Sequence, residues 1–172
     1  MSCISIGPTD PMDIVSDQII LTVSERLNKK YGWKLSAIGG SANKEGVSKL
    51  NASYHRRGLK MTDIEEAREL ILDAIKEFLN EANTNEDFKP LMKDYPFTTQ
   101  NLSIGIINYD EIGMDVYFPY ISDISVGSGK IDYSSLGPEG FSYVRQIKET
   151  YEEALERSAL RKKREMEPEI EL

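Results

Sequence analysis

Cysteine, histidine and long apolar runs are all scarce in this chain of 172 residues. Cys3 is the only cysteine, so no internal disulfide and no cysteine metal cluster can form. His55 is the only histidine, which excludes a His–His metal site; Cys–His catalysis would need Cys3 to come in from the terminus. The longest apolar runs, Ile19-Ile20-Leu21 and Ile104 to Ile107, fall far short of the about 18–20 residues that cross a bilayer. Neither a basic stretch nor an apolar signal core follows Met1, so the chain as written reads as cytoplasmic. Ser2-Cys3 points elsewhere. A small residue directly before a cysteine is what a bacterial lipoprotein cleavage site presents, with the lipid placed on that cysteine. On that reading the protein is anchored in the bacterial cell envelope through Cys3, and Ile4 to Pro11 serve as a tether.

Positive charge is also short. The net charge of −8 argues against non-specific nucleic-acid binding, which depends on Lys and Arg neutralising phosphates. The deficit is uneven: nine Lys/Arg stand against five Asp/Glu up to Met61, and twelve against twenty-four beyond it. Familiar chemical signatures are missing: no G-x-S-x-G, H-E-x-x-H, C-x-x-C, EF-hand loop or G-x-G-x-x-G occurs. Val126-Gly127-Ser128-Gly129-Lys130 resembles a phosphate loop only in passing. It lacks the first glycine, and Ile131 stands where Ser or Thr would reach Mg²⁺, so a hairpin turn is the better account. No cofactor is implied.

What is present reads as one α+β domain. Apolar residues make up 40% and charged residues 29%, an ordinary globular balance. Asp10, Pro11 and Asp13 open a first helix whose apolar positions recur from Met12 to Leu27 and which Gly32 ends. Trp33 to Ile38 and Val47 to Tyr54 alternate as strands, joined by what composition makes a long loop from Gly39 to Gly46. Thr62 and Glu65 read as a capping box for a second helix with an apolar stripe from Ile64 to Ala82. Leu102 to Ile106, Met114 to Val126, Ile131 to Tyr133 and Phe141 to Ile147 read as strands, and Thr150 with Glu153 caps a third helix. The expected order is α-β-β-α-β-β-β-β-α. Strands segregated from helices predict an antiparallel sheet with the helices packed on one face. The domain spans residues 10–161, between a flexible segment 1–9 and a charged, disordered tail 162–172.

Two clusters are candidates for a site. Tyr54, His55, Arg56 and Arg57 combine a phenol, an imidazole and two guanidinium forks suited to a carboxylate or phosphate. Gly39, Gly40 and Ser41 let backbone approach a ligand closely. Together they would form the pocket of a small-molecule binding protein or enzyme. The acidic faces of the first two helices are explained by capping and solvation rather than by a metal. The nine tyrosines favour a different role. Tyr109, Tyr117, Tyr120, Tyr133 and Tyr143 fall in the strand-rich half; projecting from one exposed sheet face, they would form a contact surface for a protein partner. The residues therefore favour a non-enzymatic protein-binding or adaptor domain over an enzyme.

Overall fold

Asp10 starts the first helix as expected: its carboxylate accepts from the Met12 amide at 2.8 Å, Pro11 sits at the first helical position, and Gly32 closes α1 (Pro11–Tyr31) in the left-handed conformation at φ 68°. The computed structural model describes residues 10–58 and 63–166, so Cys3 and Thr62 lie outside the described residues. The remaining elements are β1 (Lys34–Asn43), β2 (Gly46–Arg57), α2 (Ile64–Thr84), β3 (Leu102–Tyr109), β4 (Asp123–Gly127), β5 (Lys130–Leu136), β6 (Tyr143–Thr150) and α3 (Tyr151–Met166), with short 3₁₀ turns at Lys89–Leu91 and Thr99–Asn101. This is an α+β fold with the expected element order.

The sheet is mixed, not antiparallel throughout. Its six strands lie in chain order, and all neighbours are antiparallel except β2 and β3, which run parallel from Leu50↔Leu102 to Arg57↔Tyr109. Parallel neighbours need a long crossover. The 21-residue α2 and the connection after it carry the chain back to the end of the sheet where β2 began. Alternation of apolar residues marks a strand but not its direction, which is why the local pattern missed this.

One face of the sheet is apolar. Leu50, Ala52 and Tyr54 on β2, Leu102, Ile104 and Ile106 on β3, Ile124 and Val126 on β4, and Ile131 and Tyr133 on β5 join Ile19, Ile20, Val23 and Leu27 of α1 and Ile71, Ile75 and Phe78 of α2 in one core. The opposite face carries Asn51, Ser53, His55, Ser103, Gly105, Ile107 and Ser125, half-buried or exposed. That alternation is what a sheet covered on one side requires.

Several boundaries differ from the sequence expectation. The stretch from Gly39 to Asn43 is strand, not loop; only Lys44 and Glu45 turn, with the Asn43 side chain accepting from the Glu45 amide at 2.8 Å. Small and polar residues score poorly as strand formers alone, yet pairing with β2 overrides that preference. Residues 114–122 are an irregular loop rather than a strand, and β4 begins only at Asp123; Pro119 has no amide proton to give a ladder. The N-cap of α2 is Asp63, whose side chain accepts from the Glu65 amide. Thr150 and Glu153 do form the expected capping box of α3, at 2.8 and 3.1 Å. α3 continues to Met166, past the expected start of the tail, held by the Arg161–Glu165 pair along the helix and by Lys162 reaching Glu69 of α2 at 3.0 Å.

α1 and α2 are clamped by charge. Lys30 bonds Asp73 at 2.9 Å and Glu77 at 2.6 Å, Arg26 reaches Glu81 at 2.7 Å, and the Tyr31 hydroxyl donates to Asp73 at 2.8 Å. Burial alone would raise the Asp73 carboxyl; the hydrogen bonds from Lys30 and Tyr31 outweigh it and hold the group below its ordinary value. A carboxyl depressed in the folded state contributes stability above its unfolded pKa and loses it as pH falls through the folded one. Unfolding free energy is therefore expected to drop as pH falls below about 4. Asp73→Asn is expected to flatten that fall in urea titrations; an unchanged acid profile would show that the clamp contributes nothing to it.

Candidate functional site

The two predicted clusters do not meet. In the β1–β2 hairpin Gly39 pairs with Asn51, Gly40 with Leu50 and Ser41 with Lys49, whereas His55 pairs with Lys34. Along β2, Leu50 opposite Gly40 stands five residues from His55, roughly 17 Å at the rise of a strand. The Tyr54 cluster is also divided between the two faces, since successive strand residues point oppositely. Tyr54 is fully buried on the helix side, its ring 5.7 Å from Trp33 and its hydroxyl 2.8 Å from that of Ser24. Ser24 gives its own proton to the Ile20 carbonyl, so Tyr54 is the donor between them. Burial pushes the Tyr54 phenol up to about 12. Tyr54 is thus a core residue with its hydroxyl satisfied.

His55 and Arg57 face the open side. The His55 ring packs edge-on against Tyr109 at 5.3 Å, and the Arg57 guanidinium lies over the turn at Gly113, where a Cβ would come within 2.9 Å of Arg57 Cζ. Arg56, half-buried, alternates back to the helix side. Gly39, Gly40 and Ser41 line a cavity of about 220 Å³ with Asp13, Ser16 and Asp17 of α1. Three further cavities, of about 380, 370 and 250 Å³, include none of Tyr54, His55, Arg56 or Arg57. Among the described residues no three His, Cys, Asp or Glu side chains gather as metal ligands.

The tyrosines do not share one sheet face either. Tyr133 is buried on the helix side and its hydroxyl donates to Glu149 at 2.7 Å. Tyr109 stands half-buried beside His55, while Tyr117 and Tyr120 belong to the β3–β4 loop. Tyr143, at the start of β6, is 48% exposed.

The structure gathers a different set of side chains at the end of the sheet where β3 and β5 finish and β4 and β6 begin. There the β3–β4 loop exposes Ile112, Met114, Tyr117 and Phe118, and the β5–β6 turn exposes Phe141, followed by Tyr143 and Val144 on β6. Ile112 is 81% exposed and Phe141 95%. The two connections touch. Tyr117 bridges to Leu136, the Phe118 amide donates to the Leu136 carbonyl at 2.8 Å, and the Tyr117 ring lies 3.8 Å from where a Cβ on Gly140 would stand. The β3–β4 loop is organised by Asp110, whose carboxylate accepts from the amides of Ile112 at 3.1 Å and Met114 at 2.8 Å. This Asx-type turn leaves both apolar side chains outside. Close to these connections in the chain stand Asp110, Glu111, Asp115, Asp123 and Glu139, against Arg145. Burial raises the Asp123 carboxyl, the Tyr143 hydroxyl bonds to it, and Asp115 and Asp132 raise it further.

Sequence reasoning weighted tyrosines in strands and so missed Ile112, Met114, Phe118 and Phe141. The available signal was a large apolar side chain placed inside a segment of turn composition, such as Ile112 between Glu111 and Gly113, or Phe141 after Gly140. Compared with known proteins, the chain matches no family model, no curated protein and no solved structure.

Proposed function

We propose that this chain is a non-enzymatic protein-binding domain, and that it meets its partner at the loop-bearing end of the sheet. The observation that carries this reading is the concentration of large exposed apolar side chains in two touching connections, from Ile112 to Phe118 and from Phe141 to Val144. Single exposed apolar residues are ordinary on a protein surface; a cluster of them marks an interaction site. Aromatic side chains supply most of the binding energy at such sites because they bury much area at little cost in entropy. The carboxylates that neighbour the cluster in the chain suit a partner whose contact surface is apolar at its centre and basic at its rim.

Exchanging Ile112 and Phe141 for aspartate tests the reading. Both side chains are mostly in water, so stability is expected to stay within about 0.5 kcal/mol of the parent. Capture of the partner from native extract, followed by crosslinking, is expected to be lost in the double variant. Capture that is indifferent to both changes would overturn the proposal.

A further inference from the structure

The two edges of the sheet are protected differently. β6 carries Arg145 and Lys148 along its length, the kind of charge that keeps a sheet edge from pairing with another chain. β1 forms the other edge, and from Leu35 to Asn43 it holds nine residues with no charge and no proline. Register shifts interrupt it between Leu35 and Ala37 and again between Ser41 and Ala42, leaving Ala37 to Ser41 regularly paired to β2. Among the described residues nothing pairs with its outer side. Its side chains there are small apart from Ile38, which is 41% exposed, so no bulk blocks an approaching strand.

Beside this edge lies the cavity of about 220 Å³ under the first turns of α1, lined by Asp13, Ser16, Asp17, Ile38 and Gly39 to Ala42. The contrast with the rest of the helix layer is informative. Asp73, Glu77 and Glu81 of α2 each have a Lys or Arg partner. Asp13 and Asp17 form no ion pair among the described residues, and burial and then the neighbouring Asp13 raise the Asp17 carboxyl.

We propose that β1 accepts an extended partner segment as a seventh strand, and that the segment carries a Lys or Arg directed at Asp13 and Asp17. Backbone hydrogen bonds to Ala37–Ser41 would hold the strand, as in other peptide recognition by strand addition. On the helix side, the aliphatic stem of the basic residue covers Ile38 and its cationic head reaches the two carboxylates. A second copy of this chain is the poorer occupant. Edge-to-edge pairing about a two-fold axis normal to the sheet places both α1 helices on the same side and sets one acidic pair against the other. This surface lies far along β1 and β2 from the apolar loop cluster, so the two proposals fail independently.

The test is a phage-displayed random decapeptide selection on the full chain, with the recovered peptides mapped by amide hydrogen exchange. Peptides with alternating apolar residues and one Lys or Arg are expected, protecting those amides of Ala37–Ser41 that point away from β2. Methylating alternate backbone amides of such a peptide is expected to abolish binding. D13N/D17N is expected to weaken binding at least about tenfold, since close charge pairs at interfaces couple by more than that factor requires, with the melting curve confirming the fold. Ile112→Asp/Phe141→Asp is expected to leave peptide binding unchanged. Three results would overturn the proposal: no recovered peptide protects Ala37–Ser41, the binders show no basic preference, or sedimentation shows a dimer that protects these amides without any peptide.

Discussion

Glu149→Ala is expected to cost about 3–5 kcal/mol of unfolding free energy, the range for breaking a buried ion pair by removing one partner. The Glu149 side chain is fully buried and that of Arg68 is 3% exposed. Two parallel bonds join them, Nε to Oε1 at 2.8 Å and Nη2 to Oε2 at 3.1 Å. Tyr133 donates to the same carboxylate at 2.7 Å and Arg157 at 2.9 Å, and Arg68 also pairs with Glu65. Arg68 belongs to α2, Tyr133 to β5, Glu149 to β6 and Arg157 to α3, so one carboxylate ties four elements together. Burial pushes the Tyr133 phenol upward and Glu149 adds to the shift, so this hydroxyl remains a donor across the working pH range. Without the carboxylate, Arg68 keeps only Glu65 and the Tyr133 hydroxyl loses its acceptor, so each is left buried with a hydrogen-bonding deficit. Arg68→Met combined with Glu149→Leu and Tyr133→Phe is expected to lose far less than the single change, because no uncompensated charge stays behind. Urea unfolding of the single and triple variants checks both statements. A loss below about 1 kcal/mol for Glu149→Ala would mean that water reaches the site and that the network is not what joins α3 to the sheet.

Gly46→Ala is expected to lose about 2–6 kcal/mol, while Gly39→Ala in the same hairpin changes stability little. Gly46 has φ 124°, and a Cβ there would stand 2.6 Å from the Leu91 carbonyl oxygen and 2.8 Å from the Lys93 nitrogen. Both are backbone atoms of a segment pinned to the hairpin tip, where the Lys93 amide donates to the Val47 carbonyl at 2.8 Å. They cannot swing aside as a side-chain tip can. Backbone strain of about 1–3 kcal/mol and overpacking of about 1–3 kcal/mol combine. At Gly39 the nearest atoms are 3.9 Å away, on the Asn51 side chain, and the backbone is not left-handed. A melt of the two variants side by side decides the matter. Equal effects would mean that glycine serves strand flexibility generally rather than a close approach at the tip.

Much of the helical structure was legible because its signals are local. Asp10 with Pro11, Gly32, and Thr150 with Glu153 act within a turn or so of themselves and do so in the folded protein. The alternation of Leu102, Ile104 and Ile106 likewise anticipated a strand covered on one side. Arg68 was open to notice and passed over: it falls one turn after Ile64 and just before Ile71 and Leu72, a charge on an apolar stripe, where a buried partner is needed. Its partner Glu149 lies 81 residues away, and no spacing rule connects them.

By itself the sequence determined the limits of α1, the apolar faces, the absence of an internal disulfide and the α+β class, because capping, periodicity and cysteine count depend on near neighbours or on composition alone. Only the tertiary structure decided that β2 and β3 run parallel, that Gly39 to Ser41 form an edge strand, that Tyr54 and His55 face opposite ways, and that Ile112 and Phe141 come to the same end of the sheet. Each of these depends on which distant segments pair. Pairing is set by the summed burial of the whole core, to which any one stretch of sequence contributes only a part.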